Sequence, residues 1–187
     1  MSNNNWKTPP EIFAYFDAEY NFKCDVAADE NNHLCDKYIT EEMDTLKTDW
    51  LSFGVMPGEY VWLNPPYSRP LPFVKKAIDE SYFNGIGSVL LLNNDMSVEW
   101  SYLLTIIGCK HIVFTACGNK KAKTYHGGRM AFLNEQDSPV SLNPKGQIAF
   151  IIPPFVRYGQ SPTVKYLPLI TAMNIGRNEI ETAESAG

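Results

Sequence analysis

The sequence has few cysteines, few histidines and no long hydrophobic run, and each shortage argues against a class of protein. Its 187 residues include four cysteines and three histidines, which show neither a Cys-x-x-Cys pair nor the spacing of zinc ligands. We therefore expect no metal site and reduced thiols. No stretch approaches about 18 consecutive apolar residues, which argues against a membrane-spanning helix. Residues 1–6 lack the basic start and apolar run of a signal peptide, so we expect a cytoplasmic protein.

Positive charge is also scarce, and it is unevenly distributed. The chain has 16 basic and 21 acidic residues, which gives a formal net charge of −5. Residues 1–50 carry four basic and eleven acidic side chains, whereas residues 100–134 carry five basic side chains and no acidic one. This asymmetry would let a polyanion meet one face of the protein only. An ordinary solvated surface can show the same pattern, so charge alone leaves both interpretations open.

The pattern of apolar residues predicts an α/β domain. Helical spacing predicts three helices, the first capped by Thr8, at residues 12–22, 72–82 and 99–107. Glu80 falls on the predicted solvent face of the second helix. β-rich runs predict strands at residues 22–27, 37–40, 60–63, 88–92, 111–114, 130–133 and 147–152.

The order of these elements predicts the architecture. Strands alternate with helices and are then followed by consecutive strands, which indicates a mostly parallel sheet with an antiparallel edge. We expect a single domain over residues 1–174 and a disordered tail over residues 175–187, which are charged and rich in small residues. Ligands of such sheets bind beyond the carboxyl ends of the strands. Asp25 and Asn64-Pro65-Pro66-Tyr67 both stand where a predicted strand ends, so we expect both to face that crevice.

Asn64-Pro65-Pro66-Tyr67 is the most informative segment of the chain. An exocyclic amine on an aromatic base is a poor nucleophile, because its lone pair is delocalised into the ring. The side-chain oxygen of Asn64 and the carbonyl of Pro65 can both accept hydrogen bonds from such an amine and localise the lone pair for attack. Tyr67 offers an aromatic face on which a base turned out of a duplex can stack, worth about 1–3 kcal/mol. The alternative is an ordinary turn after a strand.

Four segments of the chain together carry a family resemblance. They are, in order, Trp6-Lys7-Thr8-Pro9, Asp25-Val26-Ala27-Ala28, Asn64-Pro65-Pro66-Tyr67-Ser68 and Gly128-Arg129-Met130-Ala131-Phe132. They resemble the Trp-x-Thr-Pro, Asp-x-x-Ala, Asn-Pro-Pro-Tyr-Ser and Gly-Arg-x-x-Phe motifs of the phage-type (Dam-like) DNA N6-adenine methyltransferases, which bacteriophages and prophages encode. The resemblance implies a Rossmann-like class I methyltransferase sheet with helices on both faces. It also implies S-adenosylmethionine as methyl donor, no metal, and the last motif as a strand.

The resemblance also implies which residues bind the donor. Thr8 and Pro9, next to Trp6, correspond to the segment that closes over the methionine end. The Asp25 carboxylate would pair with the methionine ammonium, beside the small Ala27, although a plain turn aspartate is the alternative. At the adenine ring of the cofactor, the resemblance implies Asp49 and Trp50. At the ribose hydroxyls, it implies Glu41, Glu42 or Asp44. The turn after Asp25 lacks the usual glycines, which departs from the wider methyltransferase pattern.

Any DNA-reading element must follow Asn64-Pro65-Pro66-Tyr67, because no recognition domain fits between the donor elements and this motif. The basic loop at residues 115–129 is available for it. Its Lys120, Lys121 and Lys123 would hold phosphates, and Arg129 could reach a phosphate or a guanine edge. Ser68 and Arg69 would touch the backbone of the flipped nucleotide. A solvated hairpin loop is the alternative.

These expectations combine into a site-specific DNA adenine N6-methyltransferase that acts on double-stranded DNA. The catalytic residues would be Asn64, Pro65, Pro66 and Tyr67. Two other functions stay open at this point. One is methylation of adenine in RNA or of a glutamine amide in a protein, since the motif can hold any planar amine. The other is a degenerate nucleic-acid-binding module that has lost its donor site.

Overall fold

A computed structural model of the chain describes residues 6–119, 121, 126–140 and 144–187. Its helices are α1 (Pro10–Tyr20), α2 (Leu71–Asn84), α3 (Glu99–Ile106) and α4 (Leu169–Ala186). Its strands are β1 (Tyr60–Leu63), β2 (Gly87–Asn93), β3 (Lys110–Thr115), β4 (Gln147–Ile152) and β5 (Thr163–Pro168). The predicted α/β class is confirmed, since the described residues form a mixed five-stranded sheet with four helices. Within the described residues, no helix is long and apolar enough to cross a membrane.

The sheet has the strand order β1-β2-β4-β3-β5. β1 and β2 are parallel, as are β3 and β5, whereas β4 runs antiparallel to both β2 and β3. The prediction that the antiparallel strand lies at the edge is therefore wrong. All six residues of β4 are buried, and such a strand suits a position between two neighbours better than an edge.

Alternate residues of the central strands belong to two different hydrophobic clusters. Leu90 of β2 packs in a cluster with residues of α2 and α3, such as Val74 and Leu104. The neighbouring Leu91 packs in a second cluster with residues of α1 and α4, such as Phe16 and Ala172. This alternation follows from the period of two along a strand, and it explains why β2 and β4 are apolar throughout.

The segments predicted as strands at residues 22–27 and 37–40 form only isolated bridges, but these bridges bring Asp25 beside β1. The backbone N–H of Val26 donates to the Trp62 carbonyl at 3.0 Å, and the Asp25 N–H donates to the Lys37 carbonyl at 3.0 Å. Both bridges at Asp25 are parallel. The chain after Asp25 and the chain after β1 therefore emerge at the same edge of the sheet, as the sequence predicts.

The predicted strand at residues 130–133 is also replaced by isolated bridges, which Leu133 forms with Lys7 and with Pro139. Leu133 exchanges two backbone hydrogen bonds of 2.9 Å with Lys7, which ties the segment before α1 to the chain after the basic loop.

The expected helix cap at Thr8 is wrong as well. The N-cap of α1 is Pro9, without a side-chain cap, and the Thr8 hydroxyl is engaged elsewhere.

The expected disordered tail is wrong, because α4 continues to Ala186. Its buried residues Leu169, Ala172 and Gly176 lie on one face, and Gly176 lies so close to the backbone of Glu11 that a Cβ there would overlap the Glu11 carbonyl. Arg177 adds an ion pair of 3.3 Å with the Glu11 carboxylate. Small residues thus let α4 pack closely on α1, which a composition-based prediction of disorder does not take into account.

Candidate active site

A cavity of about 210 Å³ lies beyond the carboxyl end of β1. Ten of the predicted site residues line it, and they come from four separate parts of the sequence. They are Trp6, Thr8, Asp25, Ala27, Glu41, Asp44, Asn64, Pro65, Pro66 and Tyr67. The structure therefore brings together the predicted amine-binding motif and most of the predicted donor site.

Asn64 immediately follows β1, and the nitrogen and the oxygen of its side-chain amide differ in their hydrogen bonding. The Nδ2 group donates a hydrogen bond of 3.1 Å to the Thr8 hydroxyl. Oδ1 is buried and has no hydrogen-bond partner among the residues that the structure describes. A buried acceptor without a partner costs about 1–3 kcal/mol, so this oxygen, in a cavity wall, is available to a ligand that donates a hydrogen bond.

An aromatic group forms the cavity wall beside Asn64. The Trp6 ring stacks on Phe132 at 5.9 Å between centroids, and Tyr67 meets the same ring edge-on at 5.7 Å. Trp6 Nε1 and the Tyr67 hydroxyl are buried and lack partners within the described part of the chain. Burial raises the pKa of Tyr67 above its usual range, so the hydroxyl stays neutral. Phe132 was not among the predicted site residues, although the Gly-Arg-x-x-Phe motif contains it.

Asp25 is a nearly fully buried carboxylate, with 3% of its surface exposed. Burial raises its pKa from 3.8 to about 7, and this rise is opposed by the backbone N–H groups of Ala27 and Leu34 and by His33. The two N–H groups lie 3.3 and 3.2 Å from the carboxylate oxygens. A ligand cation in the cavity would favour the ionised form, so the site suits a positively charged group.

The acidic residues that the sequence left as alternatives differ in position. Glu41 and Asp44 line the cavity, whereas Glu42 is not part of its wall. The Asp44 carboxylate contacts Lys47 Nζ at 2.7 Å, and this hydrogen bond lowers the pKa of Asp44. Asp29 also lines the cavity and was missed. It stands four residues after Asp25, and only that spacing could have pointed to it.

Three predicted donor residues do not line the cavity. The Trp50 ring is fully buried in the core and its Nε1 donates to the Thr45 hydroxyl at 3.0 Å, so it offers no face for stacking. The exposed Asp49 accepts from the Leu51 N–H at 3.0 Å, as a turn aspartate does. Pro9 is buried at the start of α1. For Asp49 and Trp50, the structure thus shows a turn aspartate beside a core tryptophan.

Trp50 is held in place by a buried charge. Glu80 of α2 is 3% exposed, which contradicts its predicted place on the solvent face. Its carboxylate forms an ion pair of 2.6 Å with Lys76. It also accepts a hydrogen bond of 2.8 Å from the Asn84 side chain and a longer one of 3.4 Å from the backbone N–H of Trp50. Lys76 Nζ also lies 5.7 Å from the centre of the Trp50 ring. The pairing makes the burial of Glu80 possible.

None of the predicted DNA-contacting residues that the structure describes belongs to the cavity wall. Ser68, Arg69, Lys121 and Arg129 lie at least partly exposed, and the two lysines Lys120 and Lys123 lie outside the described residues. Gly128 approaches the backbone between Thr115 and Ala116 so closely that a Cβ would overlap it, which fixes Arg129 near the end of β3. In the described part of the chain, no three His, Cys, Asp or Glu side chains are grouped as metal ligands would be.

Comparison with known proteins gives a consistent result. The family model for DNA N-6-adenine-methyltransferase (Dam) matches residues 1–177. A DNA N-6-adenine-methyltransferase of Haemophilus phage HP1 is 34% identical over 157 residues, which cover 82% of this chain and 81% of the relative. A second one, from Escherichia phage T1, is 34% identical over 173 residues, or 88% of this chain and 68% of the relative. The chain therefore belongs to the DNA N-6-adenine-methyltransferase (Dam) family.

Proposed function

We propose that the protein transfers the methyl group of S-adenosylmethionine to the exocyclic amine of an adenine that has turned out of double-stranded DNA. The observation that carries the proposal is the position of Asn64-Pro65-Pro66-Tyr67, on the wall of the cavity that also holds the buried Asp25. One cavity thus holds a hydrogen-bond acceptor for an amine and a carboxylate for a cation. The alignment of two substrates requires such a shared space. The proposal includes a Rossmann-like class I sheet, with α2 and α3 on one face and α1 and α4 on the other.

The cavity residues fit S-adenosylmethionine, because a buried carboxylate and several unpartnered polar atoms surround one space. In the proposal, Asp25 accepts from the ammonium group, whose charge offsets the cost of burying an ionised carboxylate. Glu41 and Asp44 accept from the ribose hydroxyls, and Ala27 leaves room at the turn. When bound, the cofactor would supply a methyl group on a positively charged sulfur, and the leaving group would be a neutral thioether that keeps the electron pair of the broken carbon–sulfur bond.

At the target adenine, Asn64 Oδ1 and the Pro65 carbonyl accept the two hydrogens of the amine. The nitrogen lone pair is then localised and forms the new nitrogen–carbon bond, after which the amine loses one proton to water. Tyr67 stacks on the extruded base, and Trp6 and Phe132 support this aromatic wall. Most of the acceleration would come from the alignment of the amine with the methyl donor, for which the shared cavity provides the place.

Basic residues that follow the Asn64-Pro65-Pro66-Tyr67 motif in the sequence would hold the DNA. Ser68 and Arg69 directly follow Tyr67, so they are close enough in sequence to contact the backbone of the flipped nucleotide. Lys121 and Arg129, with Lys120 and Lys123, would contact phosphates. A patch of this size gives modest affinity that falls with rising salt concentration.

The proposal is tested by presenting the protein with radiolabelled S-adenosylmethionine and three acceptors: unmethylated duplex DNA, RNA and protein. We expect label in the DNA alone and N6-methyladenine after digestion to nucleosides. Label in RNA or protein instead would replace the proposed substrate by another planar amine. No transfer at all, together with no binding of S-adenosylmethionine at millimolar concentration, would show a degenerate binding module.

A further inference from the structure

Thr8 contacts the Asn64 amide directly, although its place before α1 first suggests a helix cap. Its hydroxyl makes no cap hydrogen bond and instead accepts from Asn64 Nδ2 at 3.1 Å. The two residues are 56 positions apart in sequence, and both line the cavity. Thr8 is buried, so water does not readily replace this contact.

The segment that carries Thr8 is fixed on both sides. Lys7 exchanges two backbone hydrogen bonds of 2.9 Å with Leu133, and its Nζ forms an ion pair of 2.9 Å with Asp137. Trp6 stacks on Phe132 from the same neighbouring chain segment. On the other side Pro9 begins α1. The backbone at Thr8 is therefore held by the fold rather than by Asn64, so its side chain can act as a fixed reference for the amide.

We propose that Thr8 is a positioning residue, which holds the Asn64 amide at the place where Oδ1 meets the target amine. This inference rests on the proposed function. A hydroxyl can accept from Nδ2 or donate to Oδ1, so the Thr8 hydroxyl fixes where the amide lies, and the amine, which donates, selects the oxygen as the end that faces it. While Oδ1 accepts from the amine, Nδ2 needs an acceptor, and the Thr8 hydroxyl supplies one.

The experiment compares Thr8→Val with Thr8→Ser in the full chain. Valine keeps the shape of the side chain but removes the hydroxyl, so Nδ2 is left without its acceptor and the amide can turn. We expect the single-turnover rate of methyl transfer to DNA to fall about tenfold or more, which corresponds to about 1.4 kcal/mol at the transition state. The Kd for S-adenosylmethionine, measured by calorimetry, should change less than about twofold. Serine should restore the rate to within about threefold of the original protein.

A matched control separates positioning from stability. Thr105→Val removes a threonine hydroxyl in α3 that donates to the Ser101 carbonyl at 2.8 Å, away from the cavity. The Thr105→Val variant should transfer methyl groups at the unaltered rate, even if its melting temperature falls as far as that of Thr8→Val. Full activity of Thr8→Val, or a weakened Kd with an unchanged rate, would overturn the inference, and the second result would assign Thr8 to the donor site. Absence of transfer by the unaltered protein would instead refute the proposed function.

Discussion

The buried carboxylate of Asp25 leads to a specific dependence of donor binding on pH. Burial raises its pKa from 3.8 to about 7, and only the ionised form pairs with an ammonium group. With this pKa, about 9% of the protein is ionised at Asp25 near pH 6 and about 91% near pH 8. The apparent Kd scales inversely with the competent fraction, so it should fall about tenfold between these two pH values.

Calorimetric titration with S-adenosylmethionine at both pH values measures this change. Asp25→Asn should bind weakly and without the pH dependence, because it has no carboxylate to ionise. His33→Gln is the matched control, since the charge of His33 acts on Asp25 but the imidazole is not the proposed ligand. The His33→Gln variant should keep most of the tenfold change in Kd between the two pH values. An unaltered protein with equal affinity near pH 6 and pH 8, or a tenfold change that persists in Asp25→Asn, would refute the reasoning.

The same residue gives a check without any ligand. Since the pKa of Asp25 in the folded protein lies above its usual value, folding favours the protonated form. The stabilising effect of protonation is complete below about pH 4 and is lost as the pH rises to about 7. The free energy of unfolding should therefore fall more over this interval in the unaltered protein than in Asp25→Asn, as chemical denaturation at each pH would measure.

Two further predictions concern the DNA surface and the core. Replacing Lys120, Lys121 and Lys123 together by alanine should weaken DNA binding and reduce the slope of log affinity against log salt by roughly 0.9 for each phosphate that is no longer neutralised. Fluorescence anisotropy over a salt series measures the slope, and an unchanged slope would remove the loop from the interface. Glu80→Ala should lower the free energy of unfolding by about 3 kcal/mol, because it leaves the largely buried Lys76 unpaired. A loss below about 1 kcal/mol in urea denaturation would contradict the buried ion pair.

Features that depend on local sequence could be predicted from the chain alone. The apolar run of β2, the helical spacing of α2 and the two prolines that end β1 each determine their structure within a few residues. Because the carboxyl ends of parallel strands lie at a common edge, the position of Asp25 and Asn64 on one cavity could also be predicted. The core position of Trp50 could not, since a tryptophan after an aspartate fits a stacking role and a core role equally well.

Features that depend on distant contacts were missed. β5 exposes four of its six residues and so shows no apolar run, and its place in the sheet comes from parallel pairing with β3. α4 is charged and rich in small residues, and its order comes from close packing on α1. Phe132 reaches the cavity because the chain around Leu133 pairs with Lys7, which lies far earlier in the sequence. None of these pairings leaves a local signal in the sequence.

The proposed role of Asn64 is that its side-chain oxygen holds the amine that receives the methyl group. It is tested most directly by measuring, for Asn64→Ala, both the single-turnover transfer of methyl to duplex DNA and the Kd for S-adenosylmethionine. We predict that transfer falls at least about a hundredfold, or by about 2.7 kcal/mol at the transition state, while the Kd changes less than about threefold. Transfer at the normal rate in this variant would contradict the account.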